Sequence, residues 1–147
     1  RLALDAAETG HLVIATMNTT SAPKTLTRLI DLFPAREQSQ MRVMVAESLK
    51  LVICQALLPG IRGGLVPAHE ILVMNSAIAR AIRDQREALI PSLVQMGRNM
   101  GMQMMDEALM ELFRAGRISA EDAYLRADKK ETFEELVTEA FLESIYE

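Results

Sequence analysis

The stretch Glu8-Thr9-Gly10-His11-Leu12-Val13-Ile14-Ala15-Thr16-Met17-Asn18-Thr19-Thr20 decides how the rest of the chain is read. It is a polar turn, an apolar run and a second polar turn. Gly10 interrupts the helical pattern before it, and Leu12 to Ala15 form the continuous apolar run of a strand buried on both faces. Polar groups then collect at the two strand ends. In parallel α/β sheets ligands bind beyond the carboxyl ends of strands, so Thr16, Asn18, Thr19 and Thr20 stand where a phosphate or a water could be met. The same spacing also fits an ordinary buried strand with its turns, because short apolar runs are common.

Composition limits what surrounds this stretch. With 147 residues, half of them hydrophobic, the chain can bury one sizeable core as a compact domain or part of a larger one. A net charge of -4, without a dominant Lys/Arg cluster, argues against a general nucleic-acid binder. Cys54 is the single cysteine, which excludes an intramolecular disulfide and a four-cysteine zinc site and fits a reducing cytoplasm. No apolar run approaches the roughly 20 residues of a membrane span, and the first residues lack a basic-then-apolar signal pattern.

Outward from the opening stretch, periodicity predicts mostly helices. Leu2 to Glu8 reads as a helix end. Ser21 is a candidate N-cap with Pro23 in the first turn, Leu26, Leu29, Ile30 and Phe33 repeat at helical spacing, and Pro34 stops the helix. From Ala35 a second stripe runs through Met41, Met44, Val45, Ser48, Leu49 and Val52, with methionine as flexible core filler. Glycines at 60, 63 and 64 punctuate a loop, and Val66 to Val73 reads as a strand with Pro67 at an edge. Within it His69 and Glu70 point to opposite faces, a poor arrangement for joint chemistry. Asn75 or Ser76 caps a short helix in which Ile78 and Ile82 share a face, with Arg80, Arg83 and Asp84 away from it.

A helix over Glu87 to Arg98 is expected next, then one with Met105, Ala108, Leu109, Leu112 and Phe113 inward and Gly116 at its end. Ser119 with Asp122 is a capping-box-like start, and Asp128 with Glu131 repeats the signal. A last helix places Phe133, Leu136, Val137, Ala140, Phe141 and Ile145 on one face. Such a stripe completes a local core, so docking on its own subunit is expected ahead of a neighbour or a partner, and its acidic polar face argues against a membrane.

Ala7-Glu8-Thr9-Gly10-His11-Leu12-Val13, followed by Thr16-Met17-Asn18-Thr19, resembles the His box of the secretion ATPases, specifically the type IV pilus retraction ATPases of the PilT/PilU twitching-motility type. Asn18 stands where that family has a second histidine; Asn can donate and accept but cannot titrate. Leu26 to Pro34 is similar too, with Arg28 and Asp31 matching and Thr27 replacing the usual acid, as are Glu47 to Leu58, Ala68 to Ile71 and Gly101-Met102-Gln103. Ala77 to Asp84 resembles the AIRNLIRE motif: Ala77, Ile78, Ile82 and Arg83 match, Ala79, Arg80 and Ala81 depart, and Asp84 replaces a glutamate.

The resemblance implies an α/β, helix-rich fold: residues 1–74 as the C-terminal part of a RecA-like P-loop ATPase core with few strands, and 75–147 as a helical subdomain. It implies a homohexameric cytoplasmic motor, peripheral at the inner membrane, that couples ATP hydrolysis with Mg²⁺ to pilus retraction through an inner-membrane platform protein. No direct membrane insertion and no nucleic-acid partner are implied. His11 and Asn18 would report on the γ-phosphate, Thr9, Gly10, Thr16 and Thr19 would face the nucleotide, and Ala77, Ile78, Arg80, Ile82, Arg83 and Asp84 would carry motor coupling. The chain starts at Arg1 without methionine and holds no Gly-x-x-x-x-Gly-Lys-Ser/Thr, so a fragment is expected whose phosphate loop, acidic box and most Mg²⁺ ligands lie upstream. Alone it is expected to be inactive. The absence of a cysteine cluster and the AIRNLIRE-like segment argue against a type II/IV secretion or DNA-uptake ATPase. A non-enzymatic helical interaction module would share the composition but not the order of motifs.

Overall fold

The computed structural model describes residues 1–146. Most of its helices fall where the apolar stripes put them. α1 (Leu2–Glu8), α2 (Ala22–Asp31) and α3 (Ala35–Ser48) precede a hairpin of β1 (Leu51–Pro59) and β2 (Leu65–Val73). α4 (Ser76–Arg83), α5 (Ile90–Met96), α6 (Met105–Arg114), α7 (Ala120–Arg126), α8 (Glu131–Glu134) and α9 (Glu139–Tyr146) follow.

The helix boundaries have local causes. Asn75 caps α4 by accepting from Ile78 N at 2.9 Å, and Ser119 caps α7 by accepting from Asp122 N at 3.0 Å, each satisfying an amide that the first helical turn leaves free. Ser21 occupies the N-cap position of α2 in extended conformation, with no side-chain capping bond. Gly116, just past α6, has φ +65°, a left-handed conformation that glycine adopts without a Cβ penalty.

The chain divides into two compact units, Arg1–Cys54 with Ile71–Met102, and Gln55–Glu70 with Gln103–Glu147. The sequence-expected boundary at residue 74 follows chain order, whereas this division cuts both hairpin strands. In the first unit α3 packs against α1, α2 and α4, and α4 against α5. Leu26 and Ile30 of α2, Met41 and Val45 of α3, Ile78 and Ile82 of α4, and Ile90 and Val94 of α5 are buried there. In the second unit Ala56, Leu58, Val66 and Ala68 of the hairpin share a core with Met105 and Leu109 of α6, Tyr124 of α7 and Phe133 of α8. The Tyr124 and Phe141 rings meet edge to face, with centroids 6.1 Å apart.

Four sequence expectations are corrected. Leu12 to Ala15 forms no strand: the run is irregular, with Leu12 87% and Ile14 85% exposed. A strand buried on both faces needs ladder partners at each side, and among the described residues the only sheet is β1 paired with β2. The stripe from Ala35 does not continue to Val52, because the helix ends at Ser48 and residues 51–59 alternate between exposed and buried as β1. The repeated cap at Asp128 is absent: Asp128 N and Lys129 N instead donate to the Asp106 carboxylate at 2.8 and 3.0 Å, and Lys130 holds the N-cap position of α8. The last helix is two, since Thr138 Oγ1 accepts from Phe141 N at 3.3 Å and starts α9 anew.

Candidate functional site

The turn after α1 is built by a helix-ending motif. Gly10 N donates to the Ala7 carbonyl at 3.1 Å and His11 N to the Ala6 carbonyl at 3.0 Å, the paired bonds of a Schellman cap. Gly10 sits at φ +92°, where a side chain would strain the backbone. The cap therefore fixes where His11 leaves the helix.

His11 is exposed, and Nδ1 lies 3.2 Å from the Ala6 carbonyl oxygen and 3.2 Å from Thr9 Oγ1. A carbonyl oxygen only accepts, so Nδ1 carries the hydrogen and Nε2 of the neutral ring is a lone-pair acceptor. Nε2 donates only when the ring is protonated. Thr9 Oγ1 donates in turn to the Ala6 and Asp5 carbonyls at 2.9 and 3.2 Å, so its hydrogen serves the cap.

Beyond the apolar run the chain enters α2 beside an open groove of about 680 Å³. Asn18, Thr19, Thr20, Lys24, Thr27, Arg28, Asp31 and Glu87 line it with Pro23, Ala88 and Pro91. Thr25 Oγ1 donates to the Ser21 carbonyl at 2.8 Å, so Thr19 Oγ1, 2.6 Å from Thr25 Oγ1, is the donor of that pair. Thr19 is thereby fixed with only its lone pairs free. Lys24 Nζ donates to Thr20 Oγ1 at 3.3 Å, and Glu87 is held by an ion pair to Arg42 of α3.

The structure thus brings Asn18 and Thr19 to the groove, while Thr9, Gly10, His11 and Thr16 are exposed but do not line it. Lys24, Thr27, Arg28, Asp31 and Glu87 were not singled out as site residues from the sequence. The outward phase of α2 could have found the first four, since Leu26 and Ile30 point inward.

The coupling candidates on α4 divide by face. Ile78 and Ile82 are fully buried, so they anchor the helix. Ala77, Arg80, Arg83 and Asp84 are exposed, with Arg80 Nε 3.4 Å from Asp84 Oδ2 in a pair too solvated to add much stability. None of them lines the groove. His69 and Glu70 take opposite faces of β2: His69 Nε2 is 3.1 Å from Gln55 Oε1 across the hairpin, whereas buried Glu70 accepts from Met105 N at 3.4 Å. Among the described residues no group of three or more His, Cys, Asp or Glu side chains is placed to hold a metal ion, and no helix is long and apolar enough to cross a membrane.

Residues 1–62 match the family model of the type II/IV secretion system protein. Over 133 residues the chain is 48% identical to the type IV pilus retraction ATPase PilT of Pseudomonas aeruginosa, covering 90% of this chain and 39% of that protein. It is 48% identical to a twitching motility protein of Neisseria gonorrhoeae over 132 residues, 89% of this chain and 35% of that protein. The chain thus spans about two fifths of the length of these relatives. A crystal structure of the pilus retraction motor PilT with bound ADP superposes with a TM-score of 0.81 at 40% identity, over 91% of this chain and 37% of that one. The Legionella pneumophila ATPase DotB gives 0.70 at 26% identity, over 83% of this chain and 33% of that one. The helix-rich α/β class with few strands, consistent with part of a RecA-like ATPase, is therefore as expected from the sequence.

Proposed function

We propose, from the premise that this chain is a homologue of the type IV pilus retraction ATPases, that it forms part of a hexameric motor converting ATP hydrolysis into pilus retraction and twitching motility. The residues around His11 supply one wall of its nucleotide site. Among the superposed structures identity is higher to the pilus retraction motor PilT, 40%, than to the ATPase DotB, 26%, which favours a retraction motor. The structural observation that supports the site is the exposed His11 turn, with Nε2 uncommitted at the end of a fixed cap.

In this reading residues 1–74 belong to the RecA-like core and 75–147 to the helical subdomain, and the motor works at the cytoplasmic face of the inner membrane on a platform protein. His11 and Asn18 meet the γ-phosphate region of ATP, and Thr9, Gly10, Thr16 and Thr19 shape the turn that presents them. Fixed donors aimed at developing charge stabilise a phosphoryl-transfer transition state most in a water-poor cleft. With Nδ1 donating to the Ala6 carbonyl, His11 accepts from a water or hydroxyl when neutral and donates to a phosphate oxygen when protonated. Asn18 donates without titrating. Mg²⁺ and the phosphate cradle are assigned to parts of the motor other than these residues, so the 147-residue chain alone should show no turnover. The exposed Arg80, Arg83 and Asp84 would transmit motion, with Ile78 and Ile82 fastening α4 beneath them.

The test is substitution of Asn18 in the full-length gene product. Asn18→His should change ATP turnover while leaving the unfolding midpoint unchanged, because Asn18 is exposed. Parallel losses of stability and activity in Asn18→His and Asn18→Ala would reduce the residue to a structural turn.

A further inference from the structure

We infer that the tip of the β1–β2 hairpin is a docking point for an anionic lipid surface. Ile61 N donates to the Arg117 carbonyl at 3.0 Å, which pins the tip against the turn following α6. Three arginines are thereby brought to one end of this unit: Arg62 beside that bond, Arg117 in it, and Arg114 in the last turn of α6. All three are exposed, and no ion pair among the described residues engages them. Ile61 and Leu65, which flank Arg62 and the two glycines, are 61% and 66% exposed. Gly63 and Gly64 have positive φ, and a Cβ added at either would meet nothing within 4 Å, so the tip stands in open space.

Charge complementarity names the occupant. The whole chain carries -4, so an anionic surface repels it on average and can hold it only where unpaired cations gather. With a screening length of roughly 8 Å at physiological salt, the arginine cluster acts locally and presents the tip first. Exposed aliphatic side chains on a protruding glycine turn, flanked by guanidinium groups, suit entry into a headgroup layer better than the filling of a protein pocket. Arginine stems lie along apolar material while their heads stay with phosphate. The contact is shallow, and the inference does not rest on the proposed nucleotide site.

The 147-residue chain is sedimented with equimolar phosphatidylglycerol/phosphatidylcholine vesicles and with pure phosphatidylcholine vesicles. Binding is expected to the first only, with release at about 0.5 M salt, where the screening length shrinks to roughly 4 Å. At about fivefold per basic residue, Arg62→Glu/Arg114→Glu/Arg117→Glu together should lower partitioning at least a hundredfold. Ile61→Asp should lower it severalfold, with an unchanged circular dichroism spectrum and unfolding midpoint in both variants. Arg36→Glu/Lys50→Glu/Arg86→Glu, with the same change of net charge elsewhere, should retain most binding. Absence of binding to anionic vesicles overturns the inference and leaves an acidic protein surface as the alternative occupant. Equal binding to phosphatidylcholine, or an equal loss in the control triple variant, overturns it as well.

Discussion

Breaking the Arg42–Glu87 ion pair perturbs one wall of the groove without touching the His11 turn. Arg42 lies on α3, and Glu87 lies in a single 3₁₀ turn, residues 87–89, that α3 would otherwise not hold. Their side chains are 13% and 19% exposed, between the limits for which magnitudes are known. A fully exposed pair contributes about 0–1 kcal/mol, and removing one partner of a fully buried pair costs about 3–5 kcal/mol. At this burial Arg42→Met should cost about 2 kcal/mol, leaving a carboxylate short of its counter-charge. Glu87→Gln should cost about 1–2 kcal/mol, because the amide oxygen still accepts from the guanidinium. The double variant should be less destabilised than the sum, giving a coupling energy of about 1–2 kcal/mol in a double-mutant cycle from urea unfolding at 25 °C. Amide exchange of residues 87–90 should accelerate in each single variant. A coupling below about 0.5 kcal/mol, with unchanged exchange, would refute the claim that this pair fixes the groove wall.

Three further substitutions follow from single side chains. Asp106→Ala removes the carboxylate that accepts from Asp128 N and Lys129 N, and should cost about 2 kcal/mol, read as a fall of roughly 4–8 °C in unfolding midpoint; a shift under about 1 °C would mean that water replaces both bonds. Ser48 Oγ is buried without a hydrogen-bond partner among the described residues, so Ser48→Ala should stabilise by about 1 kcal/mol, and destabilisation in urea unfolding would reveal a bound water at that site. A Cβ at Gly97 would lie 2.4 Å from Met102 Sδ and 3.0 Å from Cγ, so Gly97→Ala should cost about 1–3 kcal/mol by overpacking, recovered in part by Met102→Ala; additive effects of the two changes would contradict that contact.

The amphipathic helices were legible because one face of each is buried. Leu26 with Ile30, Ile78 with Ile82, and Met105 with Leu109 all lie inward at the spacing their sequence shows. The caps at Asn75 and Ser119 were equally legible, being short-range side-chain chemistry. β1 was not, because both of its faces are apolar: Val52, Cys54, Ala56 and Leu58 point inward while Leu51, Ile53 and Leu57 point outward, which erases the alternation. Leu12 to Ala15 misled for the opposite reason, since a strand is completed by neighbours that a local run does not specify. The His11 turn was readable through Gly10, but not the hydrogen placement on its ring, which depends on the Ala6 carbonyl across the cap. The groove escaped because Glu87 joins it through a fold contact far from α2 in sequence.

The central claim is that His11 faces ATP. The most direct test is steady-state ATP hydrolysis by the full-length gene product carrying His11→Ala, with its unfolding midpoint measured alongside. His11 is exposed, and among the described residues its side chain bonds only within its own turn, so the midpoint should hold within about 2 °C while turnover falls by about 10²–10³. Turnover equal to that of the unsubstituted protein, at unchanged stability, would contradict the account.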